Sequence, residues 1–137
     1  AVNPVTNKIY VANSGDANVS VISGDDNTTA TVAAGSFPNA VAVNPATNKI
    51  YIPNGGGGTG VTVIDGTNNS TATVAAGTQP GACAVNPITN KIYCSNANAS
   101  NTVTVINGAN NAITSVNTGT VPQCRRGQSG NEQNLRR

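Results

Sequence analysis

Apolar and polar residues in this chain alternate in short bursts, never at helical intervals. In the stretch from Ala40 to Val74, apolar or alternating runs cover residues 40–43, 49–52, 61–64 and 71–74, separated by NPATN, PNGGGGTG and DGTNNS. Period-two alternation rich in Val, Ile and Thr predicts strands, and connectors of Asn, Gly, Pro and Asp supply turn geometry. The pattern predicts an all-β chain of short antiparallel strands.

The pattern also repeats. AVNP begins at Ala1, Ala42 and Ala84, and it opens the longer phrases NPVTNKIYV, NPATNKIYI and NPITNKIYC at Asn3, Asn44 and Asn86. The only change of length falls in one connector: 13 residues separate Lys8 from Val21, against 14 for Lys49 to Val63 and for Lys91 to Val105. Packed repeats tolerate length variation in their loops. Four antiparallel strands per unit of about 40–45 residues predict β-propeller blades, whereas rungs of a β-solenoid are shorter and lack the hairpin punctuation. The expected organisation is three tandem blades at residues 1–41, 42–83 and 84–122, with an off-pattern tail at 123–137.

NPxTNKIYVAN followed by a VSVI-type strand and a TATVAAG strand resembles the YVTN β-propeller repeats of bacterial and archaeal surface and secreted proteins. The resemblance covers all three copies, to about residue 122. It implies an extracellular or cell-surface location and an innermost strand preceding each NP. Members of that family usually close rings of about seven blades, and three blades alone cannot close one.

Composition removes most chemistry. The chain has no His, Trp or Met, one Phe and three Cys. Without His the usual Ser or Cys triads have no base, and the presumed channel strands, AVAVNP and ACAVNP, carry no metal-binding acids, so the chain is expected not to be an enzyme, with no catalytic, cofactor or metal site. Cys83 and Cys94 lack metal-ligand spacing and stand at apolar strand positions, which favours reading them as small buried hydrophobes. A cross-strand disulfide between them is the less favoured reading, and it requires Val85 to pair with Ile92. Cys124, in the tail, could link chains. Asp25, Asp26 and Asp65 are expected to cap the turn after the third strand, and Asp16 lies in an exposed loop. Residues 53–60, PNGGGGTG, lack the ending of a phosphate loop and read as a flexible connector. Lys8, Lys49 and Lys91 are expected to open the second strand with their heads in solvent, and Tyr10, Tyr51 and Tyr93 to face a neighbouring blade or form a ring of contacts. No apolar run approaches the ~18 residues of a membrane-spanning helix.

Three blades leave two large apolar faces open. The expected outcome is a homodimer in which two chains close a six-bladed ring; three chains in a larger ring and an open stack are the alternatives. The expected function is a non-catalytic structural or interaction scaffold, with loops available to protein or glycan. The alternative is a ligand-binding or enzymatic propeller whose site forms only in the assembled channel. A fragment without selected function is a third possibility.

The net charge of +2 is unevenly spread. Three Lys against four Asp give −1 over residues 1–124, and four Arg against Glu132 give +3 over residues 125–137. The basic tail has neither aromatic residues for base stacking nor a helical pattern, so nucleic acid is not an expected partner. Residue Ala1 falls inside a repeat and is not Met, which fits a processed or trimmed start. The tail itself reads as a frameshifted fourth repeat. Permitted codons for residues 123–137 read one base later as SAVAVNPATNKIYV, in register with residues 39–52. A one-base insertion near Thr120 accounts for this. The expected nucleotide sequence therefore encodes that phrase in the shifted frame, and sequencing the gene checks it: shifted codons that spell an unrelated peptide would sink the idea.

Overall fold

The computed structural model describes residues 1–58, 60–97 and 101–123. The reading of the tail, Cys124 and its four Arg included, lies outside the described residues beyond Gln123.

Twelve strands form three four-stranded antiparallel sheets. The first holds β1 (Val2–Asn3), β2 (Lys8–Asn13), β3 (Asn18–Ser23) and β4 (Thr29–Ala33). The second holds β5 (Ala42–Asn44), β6 (Lys49–Pro53), β7 (Gly60–Asp65) and β8 (Thr71–Ala75). The third holds β9 (Pro80–Asn86), β10 (Lys91–Asn96), β11 (Thr102–Asn107) and β12 (Ile113–Asn117). Within every sheet the spatial order is the chain order, so each sheet is a meander and the architecture is that of three propeller blades. The first strand predicted in the second copy, at 40–43, is observed two residues later as β5. The first strand ends at the Asn of AVNP, and in the third blade it already begins at Pro80.

Turn chemistry explains the abundance of Asn. In every NPxTN turn the first Asn accepts a backbone bond two residues on: Asn3 Oδ1 from Val5 N, Asn44 Oδ1 from Ala46 N and Asn86 Oδ1 from Ile88 N, each at 3.1 Å. The last Asn of the same turn, Asn7, Asn48 or Asn90, has a left-handed backbone with φ of 50°, 52° and 51°, a conformation that Asn tolerates better than most residues. The turns after the third strand follow a parallel rule. Ser23 Oγ, Asp65 Oδ1 and Asn107 Oδ1 occupy one repeat position, and each accepts from the backbone N two residues later.

The cores lie between the sheets. Tyr10, Val19, Val21 and Val32 of the first blade pack on Ile50, Ile52 and Ile64 of the second. Tyr51, Val61, Val63 and Val74 of the second pack on Ile92, Cys94 and Ile106 of the third. One face of each blade is therefore Tyr and Val, the opposite face Ile with Cys94 at one place. The first strands of successive blades converge, β1 on β5 and β5 on β9, with no comparable approach among β4, β8 and β12. That convergence puts the strand preceding NP at the inner edge of the arc.

Burial raises the pKa of Tyr10 and Tyr51, whose hydroxyls lie buried without a hydrogen-bond partner among the described residues. Each holds its proton more tightly folded than unfolded. The resulting stability is complete below the ordinary tyrosine value near pH 10 and is lost as pH rises through the raised folded values. A Tyr10→Phe/Tyr51→Phe variant should lose less stability than the parent chain between about pH 9 and 11, measured by urea midpoints. Equal losses in the two proteins would contradict the assignment.

Candidate functional site

Three places on the arc are candidates: the inner edge, the acid-bearing turns and the end faces. At the inner edge a cavity of about 300 Å³ is lined by Ala1, Val2, residues 41–43 and residues 83–85. Its side chains are Ala, Val and Cys83, and none offers a free acid, base or nucleophile, because Cys83 is joined to Cys94.

That bond corrects the favoured reading of the two cysteines as independent buried hydrophobes. Val85 does pair with Ile92, and Cys83 falls opposite Cys94 with their Cα atoms 4.0 Å apart. The physical reason is register. Ala1 and Tyr10 exchange both backbone bonds at 2.8 Å; the equivalent pair in the third blade is Ala84 and Tyr93. The pair one step along is then non-hydrogen-bonded, the kind of site where facing side chains lie closest. Cys94 is fully buried in the blade junction, and Val41 and Ile52 hold the corresponding places in the second blade.

Asp26 and Asp65 cap their turns, as expected, whereas the Asp25 carboxylate does not, and the acids do not converge. Asp26 Oδ1 accepts from Thr28 Oγ1 at 2.8 Å and Thr28 N at 3.1 Å, and these bonds hold its carboxyl below the usual carboxylate range. Asp65 Oδ1 accepts from Thr67 N at 2.9 Å, with the same effect on its pKa. Asp25 accepts from Asn7 Nδ2 at 2.7 Å. Asp16 stands at the opposite end of the sheets, in the β2–β3 turn. Among the described residues no three potential metal ligands cluster.

The end faces are the third candidate, and the internal junctions show how the same repeat positions are used where two blades meet. Beside the apolar core, each junction carries polar contacts in fixed places. Asn3 Nδ2 of the first blade donates to Asn48 Oδ1 of the second, and Asn44 Nδ2 to Asn90 Oδ1 of the third, both at 2.9 Å. Gly35 N donates to Thr62 Oγ1 and Gly77 N to Thr104 Oγ1, both at 3.2 Å. These glycines permit close approach: a Cβ built on Gly35 would lie 2.7 Å from Asn54 Cγ, and one on Gly77 would lie 2.4 Å from Asn96 Nδ2. Asn54 and Asn96 are in turn held by those same Thr hydroxyls at 3.0 Å. The blade-to-blade connectors add a third contact, Gly55 N to Phe37 O at 2.9 Å and Ala97 N to Gln79 O at 3.0 Å.

At the ends the same residues stand uncovered. Val116 is 48% exposed, whereas Val32 and Val74 at its repeat position are 6% exposed. Tyr93 is 36% exposed against 0% for Tyr10 and Tyr51. On the opposite end Val11 is 41% exposed, against 0% for Ile52 and Cys94. Asn86 keeps its turn bond yet is exposed, and among the described residues nothing lies within 4 Å of a Cβ built on Gly119.

Two further expectations change. Lys8 does not end in solvent: its Nζ donates to Gly66 O of the second blade at 3.0 Å, because junction packing brings that turn alongside. The glycine-rich connector is docked, with Gly55 N and Gly56 N on Phe37 O and Ser36 O, and with Gly58 O accepting from Gln79 N at 3.3 Å. The inter-blade role of Asn3, Asn44, Gly35 and Gly77 was not read from the sequence. The signal was there, since Asn and Gly recur at fixed repeat positions, but recurrence within a turn is equally explained by turn geometry.

The disulfide yields a stability prediction. Closing an 11-residue separation restricts the unfolded chain by about 2–3 kcal/mol. In a Cys124→Ser background, dithiothreitol should expose two thiols and lower stability by about that amount, with the far-UV spectrum kept. A urea midpoint indifferent to reduction would contradict it.

No family model matches the chain, and no curated protein sequence matches it. Solved structures do. The hydrazine synthase of Kuenenia stuttgartiensis superimposes with a TM-score of 0.80 at 19% identity, over 88% of this chain and 35% of that one. A putative 6-phosphogluconolactonase from Bacteroides fragilis gives 0.69 at 17%, over 88% and 39%, and the WD40 repeats of RRP9 give 0.71 at 15%, over 87% and 37%. The chain spans roughly a third of the length of these structures. At such identities the likeness concerns fold, and the fold is that of a partial β-propeller with three blades.

Proposed function

We propose that the chain is a non-catalytic YVTN-type propeller arc that works as a structural or interaction scaffold and associates with itself to close a ring, six blades from two copies. The observation that carries this reading is the makeup of the end faces. Tyr93, Val103, Val105 and Val116 repeat the residues that the inner blades bury, and Ile9 and Ile22 repeat the Ile of the other face. Repeat faces that stay in water are usually polar, and these are not. A scaffold role is supported by the Ala and Val lining of the inner-edge cavity, which offers no group for acid–base or nucleophilic chemistry. The Cys83–Cys94 disulfide supports an oxidising, extracellular or cell-surface setting. There the turns and connectors at the two ends of the sheets are available to protein or glycan partners. Light scattering coupled to size exclusion should return about twice the chain mass of 13.6 kDa. A monomer at micromolar concentration would overturn the self-association.

A further inference from the structure

We infer that the two copies join head to tail, the third blade of one copy seated on the first blade of the other in the register of the internal junctions. This rests on the self-association proposed above and specifies its contacts. Every polar key of the internal junctions has its counterpart on the two end faces. Asn86 stands where Asn3 and Asn44 stand, and Asn7 stands where Asn48 and Asn90 accept. Asn7 spends its Nδ2 on Asp25, which leaves the side-chain oxygen as the acceptor that the register requires. Gly119 N is the counterpart of Gly35 N and Gly77 N, and Ser20 Oγ, which already accepts from Asn13 Nδ2 at 2.8 Å, is the counterpart of Thr62 and Thr104 Oγ1. Even the connector is prepared. Val121 adopts φ of 52°, as Phe37 does at 52° and Gln79 at 50°. Its carbonyl is the counterpart of the two that accept from Gly55 N and Ala97 N, with Ser14 N as the matching donor.

The two faces differ from each other, Tyr and Val on one and Ile on the other, with donors on the first answered by acceptors on the second. A face laid on its own copy about a two-fold axis would bring Asn86 Nδ2 and Gly119 N against a surface that lacks Asn7 and Ser20, the acceptors that the register of the internal junctions supplies. A heterologous junction satisfies all of them.

Val116→Asp and Val11→Asp test this by complementation. Both residues are exposed in the single chain, so the substitutions leave its fold intact. Each variant alone should lose the two-chain species, because each damages both junctions of the ring. An equimolar mixture should regain it through the one junction that keeps two intact faces. Persistence of the two-chain species in Val11→Asp alone would overturn the inference, since only face-to-itself pairing survives that change. A second measurement uses cysteine pairs in a Cys124→Ser background. Gly119→Cys mixed with Asn13→Cys should give a disulfide-linked dimer under mild oxidation, and neither variant should cross-link alone. Cross-linking of Gly119→Cys with itself, or a two-chain parent that gives no link in the mixture, overturns the junction while self-association stands. A monomeric parent overturns both. A mass above two chains with the mixed cross-link supports the junction and removes the six-bladed ring.

Discussion

A four-stranded sheet that carries apolar side chains on both faces has no side to turn to water, so each blade is stabilised chiefly by the blade next to it. Magnitudes support this ordering. A fully buried Ile, Val or Tyr side chain contributes about 1.5–3 kcal/mol, whereas a backbone hydrogen bond nets about 1 kcal/mol once water is counted. Tyr10, Ile50, Ile52 and Ile64 are fully buried at one junction, and Tyr51, Ile92, Cys94 and Ile106 at the other. The meander within each sheet is what presents these residues in two stripes; the sandwiching of stripe on stripe is what holds the arc.

Apolar stripes alone would let blades slide, since burial is non-directional. The amides remove that freedom. Asn3 and Asn44 are fully buried, and a buried amide deprived of its partner costs about 1–3 kcal/mol. Slipping one blade past the next by a strand step would strand Asn3 without Asn48 and lift Gly35 from Thr62, at the same time as it misplaced the side chains. The turn residues thus serve twice. Asn44 Oδ1 shapes its own turn through Ala46 N while Asn44 Nδ2 reaches Asn90 in the next blade. Local geometry and inter-blade register are fixed by one side chain.

This double use explains which features the sequence made legible. The phrase NPxTNKIY and the TATVA strands announce the repeat, the all-β class and the meander, because alternation and turn residues are local signals. Turn capping by Asp26 and Asp65 was legible for the same reason. The partners of Asn3, Lys8 and Gly35 were not, since Asn48, Gly66 and Thr62 lie 45, 58 and 27 residues away and nothing local names them. The disulfide fell between the two cases. Its register followed from the hairpin, yet Val41 and Ile52 at the same places made an apolar reading of Cys83 and Cys94 equally complete.

Whether head-to-tail copies circle or march in a line depends on the wedge between blades. β1, β5 and β9 converge at the inner edge, with no matching approach of β4, β8 and β12 at the outer edge. Each junction therefore turns the chain about an axis instead of translating it, and a junction of the same register continues the turn. Propellers typically close with about 4–8 blades. Arcs of three reach six with two copies and nine with three, so two copies stop within that range and a third carries the ring past it. A closed pair also leaves no uncovered stripe on either chain, while an open stack of any length keeps two. Burial thus favours the shortest assembly that closes, and the asymmetry of the two faces would let the closure proposed above use the junction the chain already uses twice within itself.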